Sequence, residues 1–504
     1  MDLTRLVVVS NRLPAALKKD EQGDWKVVPG AGGLVTAMAP VLRDRGGTWI
    51  GWSGTAGGAE VMDLLASFSK EAGYELKPVG LTAEEVNDFY FGFSNEVVWP
   101  LFHDFQSRCN FKPRYWHRYV DVNRKFAEAV AKWSGENDYV WIHDYHLMHV
   151  GWWLKEMGVT RRTGFYLHIP FPPVDIFLKM PWRTKILQAL MEYDLVGFQT
   201  YRDRRNFIQC LKLFFPDVKA KGRGPVVRIT HDGGTFNAGY FSIGIDYKQF
   251  NDMARRPSVK KLAQTIKEAD DDRMIILGVD RLDYTKGVPQ RLEAVRTAIE
   301  NYPELHGKII FTQVLVPSRE KVPEYVALKE EIERLVGEIN GKFSQPGYTP
   351  VQYMYRSLSR EELVAYYRAA DMALVTPLRD GMNLVAKEYC ACNINRKGVL
   401  FLSEFAGAAA QLQNGALLVN PYDVEGVAKA IHHAYYMDDK DKRLRMRKMQ
   451  DIIRKYDIFW WLDSFLQAGF SRGLGDFPPQ ESVDYAAFFE MGEVEESEDD
   501  SSRM

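Results

Sequence analysis

The sequence predicts an α/β protein made of two successive α/β halves, and three observations predict it. Short β-branched or aliphatic runs, such as Leu6-Val-Val-Val9, Met274-Ile-Ile-Leu277 and Met372-Ala-Leu-Val375, alternate with helical stretches. That is the rhythm of a mainly parallel sheet covered by helices. The chain has 504 residues, more than a single hydrophobic core supports. The rhythm also restarts after Phe241-Ser-Ile-Gly-Ile-Asp246, which therefore reads as the boundary between the halves.

In the first half, residues 5–10 form a buried strand ending at Asn11-Arg12. A polar loop containing Asp20, Glu21 and Gly23 leads to Pro29-Gly-Ala-Gly-Gly-Leu34, which opens a helix to about residue 44. Glycines there let backbone N–H groups approach a ligand, although a plain flexible turn fits the same residues. Residues 47–54 give a second strand with Trp49 and Trp52. The aromatic stretch 89–103 suits either core or a sugar pocket. A helix over 119–133 precedes a strand at 139–142 that ends in His143-Asp-Tyr-His-Leu-Met-His149. Three histidines at this spacing raise a metal site, but the zinc-protease pattern is absent and His149 drifts off the face. Asp144, just past a strand end, suits a pocket role. A helix near 146–157 leads to a strand at 163–167, and then to His168-Ile-Pro-Phe-Pro-Pro173. Helices flank the short strand at 194–199, and two strands flank Gly233-Gly234.

In the second half, a helix near 258–269 leads through Asp270-Asp-Asp272, read as a solvated turn, to the strand 274–279. Asp280-Arg-Leu-Asp-Tyr-Thr-Lys-Gly287 then enters a helix at 289–301. Arg281 and Lys286 thus lie between a strand end and a helix start, an expected place for a diphosphate. The strand 308–314 ends in Pro317-Ser-Arg319, and helices follow at 321–339 and 359–370. The strand 372–375 feeds the helix 384–392 through Thr376-Pro-Leu-Arg-Asp-Gly-Met-Asn383. Unpaired N–H groups and the helix dipole at that start favour an anion. Asp380 in the turn suits polyol hydroxyls, and Glu388, one turn beyond Leu384, suits a vicinal diol such as a ribose. Strands at 399–403 and 416–421 and helices at 423–437 and 438–455 complete the half. Residues 457–470 are too apolar for a free tail and should dock. From Gly473 the chain turns Pro-rich and then acidic, which predicts disorder.

Composition narrows the class. A formal net charge of -2 with pI near 6.6 lacks the electrostatic footprint of a nucleic-acid or membrane-surface protein. Four scattered cysteines suggest neither a disulfide framework nor a zinc site, and reduced cytoplasmic thiols fit best. No run is long enough to span a membrane.

Several of these stretches, in this order, resemble the trehalose-6-phosphate synthase family of retaining glycosyltransferases. They are Val8-Val-Ser-Asn-Arg-Leu13, Ala31-Gly-Gly-Leu34, Gly51-Trp-Ser-Gly54, Phe93-Ser-Asn95, Trp99-Pro100 and Trp141-Ile-His-Asp-Tyr-His146. Leu167-His-Ile-Pro-Phe-Pro172, Arg281-Leu-Asp-Tyr-Thr-Lys-Gly287 and the run from Thr376 to Glu388 extend the match. One departure is Asn237-Ala-Gly-Tyr-Phe-Ser242, where the family commonly has Pro before Ile-Gly.

The resemblance implies a GT-B fold, two Rossmann-like domains facing each other across a cleft. It implies an acceptor-binding domain over 1–245, a nucleotide-sugar-binding domain over 246–455, and a helix at 456–472 that crosses back, explaining Trp460 and Trp461. Residues 473–504 remain as the acidic tail. The implied reaction moves glucose from a nucleotide-glucose, UDP-glucose first, to glucose-6-phosphate, giving trehalose-6-phosphate. Asp380, His168, Arg281 and Lys286 are the implied catalytic residues. Gly33, Met382, Asn383, Leu384, Val385 and Glu388 join Arg281, Lys286 and Asp380 around the donor. Arg12, Tyr90, Trp99, Asp144 and Arg319 would hold the acceptor. A front-face mechanism needs neither metal nor cofactor, nor a carboxylate nucleophile. No phosphatase-like half is seen in the sequence, so hydrolysis of the product would need another protein. GDP- or ADP-glucose, oligomeric state, a glycerol-3-phosphate acceptor, and a non-catalytic sugar-phosphate sensor on the same scaffold stay open. The pair Trp49 and Trp52 with Tyr90 favours a full sugar ring as acceptor.

Overall fold

The computed structural model describes residues 5–19, 25–30, 33–55, 59–270, 273–319 and 322–470. Ala31 and Gly32 of the Gly-rich loop, the polar residues Asp20 to Gly23, Asp271, Asp272 and the acidic tail lie outside them.

Two sheets organise the chain. The first has nine strands, with Leu6–Arg12 near its centre, between Gly47–Trp52 and Tyr139–His143. Its strands run parallel from Glu75–Pro78 to Gly234–Tyr240, and an antiparallel ribbon, Val226–His231 and Lys219–Lys221, closes that edge. The second sheet is wholly parallel, in the order Val351–Met354, Ile309–Val316, Met274–Arg281, Met372–Val375, Val399–Ser403, Leu417–Val419. Central strands such as Val399–Ser403 are buried along their whole length, as a sheet covered on both faces requires.

Several elements differ from the sequence reading. The expected polar loop after Leu13 contains a hairpin, in which Ala15–Lys19 pairs antiparallel with Trp25–Pro29. The helix expected from residue 119 starts at Pro113, where a missing N–H costs nothing. The helix near 146–157 is instead a 3₁₀ turn, Tyr145–Leu147, followed by Val150–Glu156. Asp270 is buried and accepts a bond from Gln352 Nε2 at 2.6 Å, so it is not a solvated turn residue. The aromatic stretch forms a π-helix, Val86–Val98, running into the helix Trp99–Phe102. Such wide turns are rare and recur at functional sites.

The last helix, Ile458–Phe470, docks on the first sheet. The Phe465 ring stacks on Trp141 at 4.2 Å and 4°, and Trp461 lies 5.0 Å from the same indole. Glycines on two adjacent strands make room, since a Cβ at Gly164 or Gly197 would sit 2.9 or 2.6 Å from the Phe465 ring. Trp460, expected to dock alongside Trp461, is only half-buried and packs on Tyr456 at 4.9 Å; Phe459 is exposed. On a helix, neighbouring residues cannot share one face.

The two chain crossings between the halves touch. Ile458 N–H donates to Ile245 O at 3.1 Å, and a Cβ at Gly244 would meet the Asp457 backbone at 2.3 Å. Lys387 reaches this junction from the helix Leu384–Cys392, donating to Ile243 O at 2.7 Å and to Gln411 Oε1 at 2.6 Å. Burial pushes Lys387 down to about 7. Above that pH the unfolded chain holds a proton that the native lysine has lost, so this group makes stability rise with pH up to the ordinary lysine range, about 10.4. Urea melts between pH 7 and 9.5 should show a shallower rise for Lys387→Met than for the wild type. Equal slopes would refute the burial of an uncharged amine.

Candidate functional site

The expected site residues converge where strand carboxyl ends of both sheets face one cleft. Arg12 ends Leu6–Arg12, Asp144 follows Tyr139–His143, and His168 follows Arg162–Tyr166. From the second sheet, Arg281 ends Met274–Arg281, Arg319 follows Ile309–Val316, and Asp380 follows Met372–Val375. Parallel sheets place loops, and hence ligands, at this end.

On one side, arginines lie on aromatic faces. The Arg12 guanidinium sits 3.9 Å over the Trp52 ring and 5.8 Å from Tyr90. Tyr90 stacks on His146 at 5.8 Å and 9°. The π-helix supplies Tyr90 and runs directly into Trp99, and the Arg319 guanidinium lies 4.9 Å over the Trp99 ring. Arg319 is not a solvated loop residue. It bonds the Tyr325 hydroxyl and lies 3.7 Å from Asp283, and its backbone has φ +50°. Burial would raise the Asp283 pKa, but Arg319, Lys286 and Arg281 outweigh it and hold the carboxylate below its usual range. Arginine forks lying on aromatic faces offer donors to an oxyanion beside faces on which a ring can pack. Trp49 does not belong to it. It is fully buried on the opposite face of its strand, donating to Ser10 Oγ at 2.8 Å, because residues three apart on a strand face opposite sides.

At the centre, Asp144 holds a strained backbone, φ +75° and ψ 166°, and accepts from the His168 N–H at 3.2 Å. Burial pushes the Asp144 carboxyl up to about 7, with Arg281 offsetting part of the rise. Burial also pushes His168 down to about 3, so its ring is neutral. His168 Nε2 lies 3.2 Å from His143 Nδ1, and one ring N–H bridges the two. His146 and His149 go elsewhere, against Tyr90 and Trp116. Among the described residues no group of His, Cys, Asp and Glu is arranged to hold a metal ion.

On the other side, Lys286 Nζ donates to Asp380 Oδ2 at 2.6 Å, and Asn383 Nδ2 donates to the same oxygen at 3.1 Å. Burial would raise the Asp380 pKa, but Lys286 outweighs it and keeps the carboxylate ionised. Two glycines let this loop pack closely: a Cβ at Gly381 would lie 2.3 Å from His168 O in the first half, and one at Gly407 would lie 1.9 Å from Gly381 O within the second. Asn383, at φ +77°, caps the helix Leu384–Cys392 by accepting from Ala386 N–H at 3.3 Å. Leu384 and Val385 head the helix with N–H groups that have no helical partner, and Met382 precedes them. Glu388, one turn on, accepts from the Tyr367 hydroxyl at 2.9 Å, and burial raises its pKa. Gly33 opens the helix Gly33–Arg45.

Other residues of the cleft escaped the sequence reading. Phe105 packs on Tyr284 at 5.2 Å, Arg108 lies 4.6 Å over the same ring, and Arg379 pairs with Asp104 at 3.3 Å. These contacts tie the segment after Trp99 to the second half. Arg291, fully buried, pairs with Asp280 and donates to Thr376 Oγ1 at 3.0 Å, bracing the loop that carries Asp380. Asp280 and Thr376 both stand in stretches singled out in the sequence, but Arg291, which joins them, does not. Among the described residues all four cysteines are free thiols, and no helix is long and apolar enough to cross a membrane.

Residues 4–469 match the model of glycosyltransferase family 20. A trehalose-6-phosphate synthase of Mycobacterium sp. (strain JLS) is 43% identical over 469 residues, covering 92% of this chain and 95% of its own. One from Mycolicibacterium smegmatis is 41% identical over 498 residues, covering 96% and 97%. Among solved structures, the E. coli protein bound with UDP-2-fluoro glucose matches with TM-score 0.83 and 37% identity, over 93% of this chain and 99% of that one. A UDP-forming synthase from Burkholderia xenovorans in complex with glucose-6-phosphate matches with TM-score 0.83 and 33% identity, over 93% and 100%. The two facing parallel-sheet halves are therefore a GT-B fold, and the chain belongs to glycosyltransferase family 20.

Proposed function

We propose that this chain moves glucose from UDP-glucose to glucose-6-phosphate with retention, releasing UDP and trehalose-6-phosphate. The observation that carries this reading is the two-sided cleft. Lys286, Arg281 and a helix start face Arg12 and Arg319 on their aromatic walls, with Asp380, His168 and Asp144 between. Breaking the bond to the nucleotide builds negative charge on the leaving diphosphate. Lys286, Arg281 and the N–H groups around Met382 to Val385 stabilise that charge. Glu388 takes the ribose diol, and Gly33 brings backbone N–H groups to the donor. Asp380 and His168 orient the transferred glucose. Asp144 binds the acceptor ring and Arg12, Arg319, Tyr90 and Trp99 its phosphate end. A coupled assay of nucleotide release over a panel of donors and acceptors tests this. Release from UDP-glucose only with glucose-6-phosphate is expected; faster release with glycerol-3-phosphate, or none with any pair, would overturn it.

The cations fill the role that a metal would play at the diphosphate, so we also propose metal-independent catalysis. Turnover should persist in EDTA. Loss restored by a divalent ion would refute the proposal.

The acceptor assignment makes a sharper demand. Arg12→Ala removes charge-assisted hydrogen bonds of about 1.5–3 kcal/mol. It should raise KM for glucose-6-phosphate by roughly 10- to 100-fold on that scale, with UDP affinity nearly intact. Discrimination between glucose-6-phosphate and glucose should shrink in the variant. If the ratio of the two acceptors' KM values does not move, Arg12 does not grip phosphate.

A further inference from the structure

The helix Leu384–Cys392 begins at the cleft and ends in the loop 393–398 on the far surface. That loop forms one wall of a cavity of about 510 Å³, the size of a small-ligand site. Helices Tyr247–Arg255 and Asp439–Lys455 form the other walls. Five arginines line it, Arg255, Arg396, Arg443, Arg447 and Arg454, and none of its lining residues is acidic. On the helix Asp439–Lys455, Arg443, Arg447, Gln450 and Arg454 follow one another at three- and four-residue steps, so they share a face.

Three of the arginines, Arg255, Arg396 and Arg454, are held in place by neutral partners. Gln450 is buried, donates to the carbonyls of Cys390 and Asn393 at 2.9 Å each, and accepts from Arg396 Nε at 2.9 Å. This fixes the Arg396 fork on a backbone at φ +57°, a conformation that L-residues adopt only at a cost. Arg255 Nε donates to Asn251 Oδ1 at 3.0 Å, and Arg454 donates to the Tyr247 hydroxyl at 3.3 Å while lying 5.0 Å over that ring. The acids outside the cavity are weak partners. Asp439 lies 3.9 Å from Arg443 but binds Lys397 at 2.6 Å, and Asp451 is shared between Arg447 at 3.9 Å and Arg454 at 3.5 Å. Exposed pairs of this kind contribute little, so the guanidinium forks keep donors for an oxyanion, which they grip in bidentate fashion.

We infer that this cavity binds a small phosphorylated anion, a phosphomonoester or diphosphate, at a site separate from the catalytic cleft. Pyrophosphate titrated calorimetrically into the full chain carrying Arg12→Ala tests it, with UDP present in excess, so that UDP occupies Arg281 and Lys286 and the substitution disables the acceptor's phosphate clamp. The expected result is one pyrophosphate site per chain that survives UDP saturation and weakens with added KCl. Arg396→Gln, and separately the surface variant Arg447→Gln, should each lower that affinity about tenfold, the scale of one charge-assisted hydrogen bond, while KM for UDP-glucose stays within about twofold of wild type. Arg447 is exposed, so its replacement leaves folding intact and keeps the test decisive. Disappearance of pyrophosphate binding once UDP is bound, or unchanged affinity in both variants, would overturn the inference.

Discussion

Replacing Lys286 by alanine should lower kcat by roughly 10²-fold or more, the scale for losing one group that stabilises developing charge. Arg281→Ala should fall in the same range. Lys286 carries two tasks, because the amine that faces the leaving diphosphate also holds Asp380 at 2.6 Å. Without it, burial would raise the Asp380 pKa, and the loop pressed against His168 would lose its ion pair to the turn Tyr284–Lys286. Lys286→Ala should therefore damage turnover more than Arg281→Ala, whose guanidinium is exposed at the strand end. Steady-state kinetics with UDP-glucose and glucose-6-phosphate separates the two. Near-normal kcat in both variants would remove the diphosphate assignment altogether.

Trp461→Ala and Phe465→Ala should each destabilise the protein by about 3–5 kcal/mol, the cost of emptying a fully buried aromatic site. Both rings have essentially no exposed surface, and both meet Trp141 on the first sheet. The glycines that make room, Gly164 and Gly197, offer no side chain to collapse into the hole. Phe459→Ala, on the exposed side of the same helix, should stay within about 0.5 kcal/mol of wild type. Urea denaturation compares the three. A similar small cost for all of them would mean that the helix is not held by this stack.

Most of the expected site residues stand in a short polar or glycine-containing stretch after an aliphatic run, so the sequence could point to them, whereas Tyr90 and Trp99 lie on helices and came only with the resemblance. A parallel sheet sends all such stretches to one end. Glu388 could also be placed relative to the helix start at Leu384 from helical spacing alone. Strand alternation likewise places Trp49 and Trp52 on opposite faces, although only the Arg12 guanidinium over the Trp52 ring shows which of them turns to the cleft. What lay beyond the sequence were contacts between residues far apart in the chain. Arg319 on Trp99, Asp104 on Arg379, Phe105 on Tyr284 and Lys387 on the Ile243 carbonyl each join one half to the other. The partner of the last helix is another such contact: composition demanded that its apolar face be covered, but not by Trp141. Local pattern determined which residues sit at strand ends and helix starts, because it depends on neighbours in the chain. Only the tertiary structure decided which of them face each other, because that follows from how the two sheets close around the crossings at Ile245 and Asp457.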